Sequence, residues 1–235
     1  MRPRPSFLAG FLAVAVLAVA VAVLSGCGSS SSGNGVAAKT PTQIVAGAKI
    51  LADAAKSVHV SGTVHTASTP IALNMLLLAG KGGRGQLVEN GLSLELIQIH
   101  GTVYIKGSAG FYRQIAGPAA AQLLQGRWLK APASSGNLAP LASLTDLSKL
   151  LDTALAAHGP LTKGHVTTVN GQKVIGVTDT STGGTLYVAS TGPPYPVQIT
   201  TGGGGGGINF TGWNQPVSVF APANAIDVTR LQSGH

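Results

Sequence analysis

Few side chains in this 235-residue chain are suited to chemistry: one Cys, six His and seven Asp plus Glu. The histidines invite a metal-site reading, because neutral imidazole is a common ligand, but their spacing opposes it. His59 and His65 stand six apart in an alternating stretch, which at ~3.3 Å per residue puts them about 20 Å apart. His100 and His165 have no acidic neighbour at ligand spacing. Histidines on strand faces or in solvent are the expectation, with no metal and no other cofactor. The carboxylates are too sparse for a paired general acid and base, and no G-x-S-x-G nucleophile motif occurs. The expectation is therefore not an enzyme. Residues 202–207 contain G-x-G-x-x-G, but no Lys-Ser/Thr follows and the next segment reads as a strand, so a hairpin tip is expected there rather than a phosphate cradle. A lone Cys can form neither an internal disulfide nor a thiolate cluster, so its position has to account for it.

That position is informative. Arg2 and Arg4 precede an uncharged apolar run over residues 7–24, which has the form of a basic n-region and an h-region. The run is also long enough for a single transmembrane anchor, since about 17 to 25 apolar residues span a bilayer. The end of the run separates the readings. Leu24-Ser25-Gly26-Cys27 resembles the bacterial lipobox, in which a signal peptidase cuts before a Cys carrying a thioether-linked diacylglycerol. Small residues at Ser25 and Gly26 suit the peptidase cleft, and the thiol of Cys27 takes the lipid. A lipoprotein with a signal peptide over 1–26 is preferred to a transmembrane or ordinary secreted protein. Two acyl chains, at about 0.8 kcal/mol per buried CH₂, would hold the chain on the outer face of the cell membrane.

Composition excludes other classes. Thirty-three Gly and 13 Pro are about a fifth of the chain, which falls short of low complexity and suits a protein rich in strands and turns. The formal charge of +8 is spread over scattered Lys and Arg, so no nucleic-acid stripe is present.

Residues 27–39, largely Gly, Ser and Ala, read as a lipidated Cys followed by a flexible tether, and the folded domain is expected over 40–235. Thr40-Pro41-Thr42-Gln43 is a helix start with an N-cap Thr, Pro at the first position and Gln three after the cap. The helix is expected to run to about Ser57, with Ile44, Ala48, Leu51 and Ala55 on one face. From Val58 the period changes to two, and strands are expected at 71–78, 84–89, 92–99, 102–106, 111–115, 164–169, 173–179, 185–189, 197–201, 208–212 and 217–220. In the 92–99 run the apolar phase slips, which indicates a bulge or burial on both faces. Helices are expected at about 118–125 and about 144–157, the second opened by a capping box from Ser143. The fold class is α+β, a single curled antiparallel sheet of about eleven strands with helices against its concave face. On composition alone two interiors remain open: a cavity lined by Ala, Val and Leu, or a filled core.

Several segments together look like the actinobacterial LppX/LprG lipoprotein group: the lipobox at Cys27, the capped helix from Pro41, GTVYIKGSAGFYRQIAG at 101–117, RWLKAP at 127–132, GGTLYVAS at 183–190 and WNQPVSVFAPANAIDV at 213–228. That group resembles the LolA and LolB carriers in fold. The resemblance implies a U-shaped half-barrel closed by helices around an apolar cavity, and a membrane-anchored protein that carries acylated lipid or glycolipid in the cell envelope. The compact Gly-rich segment 71–91 departs from the pattern and implies a smaller cavity. The residues expected to line it are Ile44, Leu51, Leu73, Met75, Leu94, Val103 and Ile105, with Leu147, Leu151 and Leu155 as lid contacts. The alternative is a non-enzymatic assembly lipoprotein with a filled core that acts through an envelope protein partner.

Overall fold

The computed structural model describes residues 33–65, 69–135, 141–142, 144–155 and 159–229, with the backbone alone at 153–155. Cys27, the apolar run before it, Ser143 and the side chain of Leu155 lie outside the described residues.

The first helix, α1 (Pro41–Asp53), begins as the sequence indicates. The Gln43 amide donates to Thr40 Oγ1 at 3.3 Å and the Thr40 amide to Gln43 Oε1 at 3.0 Å, a complete capping box with Pro41 at its first position. It ends a turn earlier than expected. Order begins before it: Asn34 Nδ2 donates to Ala189 O at 2.9 Å and Gly192 O at 2.8 Å, and Val36 is 2% exposed in the core. Nearly half of the expected tether, from Asn34 on, is therefore part of the fold, because one amide side chain and one valine hold it where composition suggested a coil.

A meander follows: β1 (Ser57–His65), β2 (Pro70–Leu78), β3 (Gly82–Glu89), β4 (Leu92–Ile99) and β5 (Thr102–Gly107). After the helix α2 (Ala109–Leu124) come β6 (Leu129–Pro132) and the helix α3 (Leu147–Leu155), then β7 (Leu161–Val169), β8 (Gln172–Asp179), β9 (Thr185–Ala189), β10 (Pro196–Thr200), β11 (Gly206–Thr211) and β12 (Ile226–Asp227). All twelve strands form one open, curled sheet in the order β12-β6-β5-β4-β3-β2-β1-β11-β10-β9-β8-β7. Each adjacent pair is antiparallel except β12 with β6. The β7–β8 hairpin turns at Asn170 (φ 50) and Gly171 (φ 76), the left-handed pair a two-residue type I′ turn requires.

Two expected strands do not form. Residues 111–115 belong to α2: Ser108 caps it by accepting from the Phe111 amide at 3.2 Å, and aromatic residues that favour strands in isolation are overridden by that cap and by packing. The helix expected at 118–125 is the second limb of α2, set off by a kink at Gly117 (φ 85) with Pro118 beginning the new limb. Residues 217–220 pair with no strand. In β4 the phase slip reflects burial on both faces, since the register with β3 and β5 is unbroken. The helix α3 starts at Leu147 with Asp146 as its cap, whose Oδ1 accepts from the Lys149 amide at 3.2 Å, three residues later than the expected box.

Candidate functional site

Because alternate residues of a strand face opposite sides, the antiparallel register sorts the sheet into two surfaces. On the side facing the helices, Phe210, Val60, Met75, Gly85, Leu96, Ile105 and Leu129 stand abreast across successive strands. Against this surface lie Ile44, Val45, Ala48 and Ala52 of α1, Tyr112 and Ala121 of α2, and Leu147 and Leu151 of α3, all in one apolar cluster. Of the residues expected to line a cavity, Ile44, Met75, Leu94, Val103, Ile105, Leu147 and Leu151 are 0–8% exposed within this cluster, and Leu73 packs against it partly buried. Leu51 is half-buried and stands outside it. The burial on α1 is centred on Ile44, Ala48 and Ala52 instead.

Polar groups fix the covering elements over the sheet. Lys49 Nζ reaches Asp53 Oδ2 and Asp152 Oδ1, both at 2.7 Å, so it ties α1 to α3. Its hydrogen bonds to Asp152 and Asp53 raise its pKa above the usual lysine value. Before α3, Thr145 is 0% exposed with its Oγ1 2.5 Å from Gln98 Oε1, which pins the start of the helix to β4. Tyr112 is also fully buried, and its hydroxyl accepts from the Gly107 amide at 3.0 Å. Burial pushes its phenol pKa up. Gly83 and Gly85 leave gaps that neighbours occupy: a Cβ on Gly83 would meet Leu77 Cδ2 at 2.9 Å, and one on Gly85 would meet Met75 Sδ. The Gly-rich segment thus lets β2 side chains spread across β3.

The opposite surface is different. One row reads His59, Leu76, Arg84, Ile97, Tyr104 and Lys130, and the next reads Ser61, Asn74, Gln86, Glu95 and Lys106. His59 is bound there to Thr211 Oγ1 at 3.1 Å and Asn74 Oδ1 at 2.8 Å, a strand-face role. The segment after β11 is fastened at the foot of β1, where the Asn214 amide donates to Ser57 O at 2.9 Å and Ser57 Oγ donates to Gln215 O at 2.6 Å. It then passes over this surface before the Ile226 amide donates to Trp128 O at 2.8 Å and β12 begins. Between segment and sheet is a cavity of about 620 Å³, lined by Leu76, Arg84, Ile97, Pro216, Val217 and Phe220 among others. A second of about 350 Å³ shares Leu76, Arg84 and Ile97 and adds Asn74, Gln86, Glu95 and Trp128.

Reading the sequence missed Tyr112, Leu77, Leu96 and Phe210 as core residues. The Ser108 cap was the available signal for Tyr112, and plain alternation was the signal for the rest. Asp179 is a turn-former: the Ser181 hydroxyl and amide donate to its Oδ1 at 2.6 and 2.8 Å, and these bonds hold its carboxyl well below the usual range. Among the described residues no three of His, Asp and Glu are grouped as metal ligands would be.

No protein-family model matches the sequence, and no curated protein matches it either. Among solved structures, the chain is similar to the lipoprotein LppX of Mycobacterium tuberculosis at 15% identity over 77% of this chain and 100% of that one, with a TM-score of 0.45. It is similar to LprF from Mycobacterium bovis at 16% identity over 78% of this chain and 97% of that one, with a TM-score of 0.51. The likeness to LprF shows the fold, an open α+β half-barrel built on one curled sheet with its helices gathered on one side.

Proposed function

We propose that the protein is an envelope lipoprotein, anchored to the outer face of the cell membrane by lipid on Cys27, that binds acylated lipid or glycolipid between the sheet and helices α1 and α3 and carries it within the envelope. The observation that supports this most is the apolar surface shared by sheet and helices. Ile44, Met75, Leu94, Val103, Ile105, Leu147 and Leu151 come from two helices and three strands spread over residues 44–151 and meet on one side of the sheet. Opening of α3 would turn that surface into an acyl-chain site. The Lys49–Asp152 bridge is half-exposed and weak enough to break, since exposed pairs are worth about 0.2–1 kcal/mol. We read the protein as a carrier and not an enzyme.

The second reading, a non-enzymatic assembly lipoprotein, is favoured by a specific observation: Leu77, Leu96, Val103 and Leu151 are all 0% exposed, as in a filled core. Native mass spectrometry of the chain from Gly28 onward, followed by lipid extraction, separates the two. Stoichiometric co-purified lipid is expected for a carrier. A clean apo mass and no lipid uptake would reject the carrier reading in favour of the assembly factor. Cys27→Ser is expected to leave the protein unlipidated, and a processed, detergent-phase product from that variant would overturn the anchor.

A further inference from the structure

The trough on the face turned away from the helices has the division of a site for an amphiphile. Its larger part lies between Leu76 and Ile97 on the sheet and Pro216, Val217 and Phe220 of the overlying segment, all apolar. Its smaller part is faced by Asn74, Gln86 and Glu95. Arg84 borders both parts, so the one cation common to them sits where apolar lining gives way to polar. Arg84 makes no ion pair or side-chain hydrogen bond with any described residue, whereas the nearby carboxylate of Glu95 is held by Lys106 Nζ at 2.8 Å, with that ammonium also 5.0 Å from the Trp128 ring centre. Among the described residues the trough therefore offers a solvent-exposed guanidinium without an ion partner, and its one lining carboxylate is already paired. Phe220, at its rim, is 77% exposed, an aromatic surface that a bound chain would cover.

We propose that this trough binds a long-chain fatty acid, with the alkyl chain under 216–220 against Leu76 and Ile97 and the carboxylate on Arg84. A guanidinium matches a carboxylate through two parallel N–H···O bonds, which a single unpaired Arg can supply. A volume of about 620 Å³ lies within the range of small-ligand pockets and suits one chain rather than the several of a multiply acylated lipid. The site is on the other side of the sheet from the carrier surface proposed above and does not depend on it.

The test uses the full chain in phospholipid vesicles, irradiated with a 16-carbon fatty acid bearing a diazirine near the chain end, with labelled peptides mapped by mass spectrometry. Labelling is expected on Ile97 itself or within residues 217–220, assigned to the residue by fragmentation because Leu94 and Leu96 of the same strand face the helices. Arg84→Glu should lower the yield at least fivefold, Arg84→Lys should retain at least half, and the matching diazirine alcohol, which has no carboxylate, should label at least fivefold less. Val217→Trp, which fills the trough, should remove the label by a second route, with thermal melting used to confirm that both variants are folded. Leu151→Trp, on the helix side, should leave the label unchanged. Label confined to peptides of α1 or α3, label indifferent to Arg84→Glu, label lost in Leu151→Trp, or no label above that of an unrelated lipoprotein would each overturn the proposal. The first and third of these would leave the helix-side carrier reading standing.

Discussion

Leu96 and Ile97 are consecutive in β4, yet they belong to two different kinds of surface. Leu96 is 0% exposed, flanked in register by Gly85 and Ile105 and covered by helices. Ile97, flanked by Arg84 and Tyr104, is covered only by an irregular segment that leaves a trough beside it. The helix side is closed by regular elements whose apolar stripes match the sheet. The other side is closed by a strap fastened at its two ends and loose between them. The difference shows that burial of a sheet face depends on what crosses it, not on the strand residues alone, because both faces of β4 carry branched aliphatic side chains.

The largest expected effect sharpens that contrast directly. Leu96→Ala should cost about 2–5 kcal/mol and Ile97→Ala about 1 kcal/mol or less, both read from denaturant unfolding of the same protein. Equal losses would break the comparison. Next, Leu151→Trp should destabilise by about 1–3 kcal/mol if the helix side is packed throughout. In a side that opens to admit acyl chains, the same ring should instead reduce lipid uptake with little change in melting temperature. Gly85→Ala should also cost about 1–3 kcal/mol, because its methyl group would displace Met75 and crowd the Asn74 carbonyl. A neutral result would show that the row across β3 is looser than its neighbours. The smallest effect lies on the strap side. Lys106→Met removes one partly exposed ion pair and one cation–π contact, and should cost about 1 kcal/mol or less, falling further in high salt.

The meander and the first helix were legible because their signals are local. Thr40, Pro41 and Gln43 state a capping box within four residues, and the alternation in β1 is visible within eight. What escaped depends on distant partners. Residues 111–115 hold two aromatic residues and an Ile, types that favour strands, and only Ser108 before them indicates the turn into a helix. Residues 217–220 likewise carry Val, Val and Phe, but Pro216 and Pro222 flank them and no strand among the described residues pairs with them, so they cross the sheet instead of joining it. β12 has two residues and exists because β6 lies beside it. Asn34 sits in a stretch whose composition reads as a coil, and its partners are over 150 residues away. The candidate site was legible to the same extent. Alternation and helical spacing placed Ile44, Met75, Leu94 and Leu151 on one surface, while the trough around Arg84 needs the path of 213–225, which no local pattern encodes.

An open sheet has two edges, and unpaired edges are templates for self-association. This sheet presents little to copy. One edge is β12, which is two residues long and runs parallel to its neighbour. The other is β7, whose pairing breaks between Lys163 and Val166, so its ladder falls into runs of three and four residues. Those runs are shorter than the six or seven residues that cross-β stacking favours. Lys163 also turns its ammonium to Ala37 O and Lys39 O, both at 2.8 Å, and so draws the N-terminal segment alongside that edge. The short stretch ahead of α1 thus stands beside part of an edge that another strand could otherwise join.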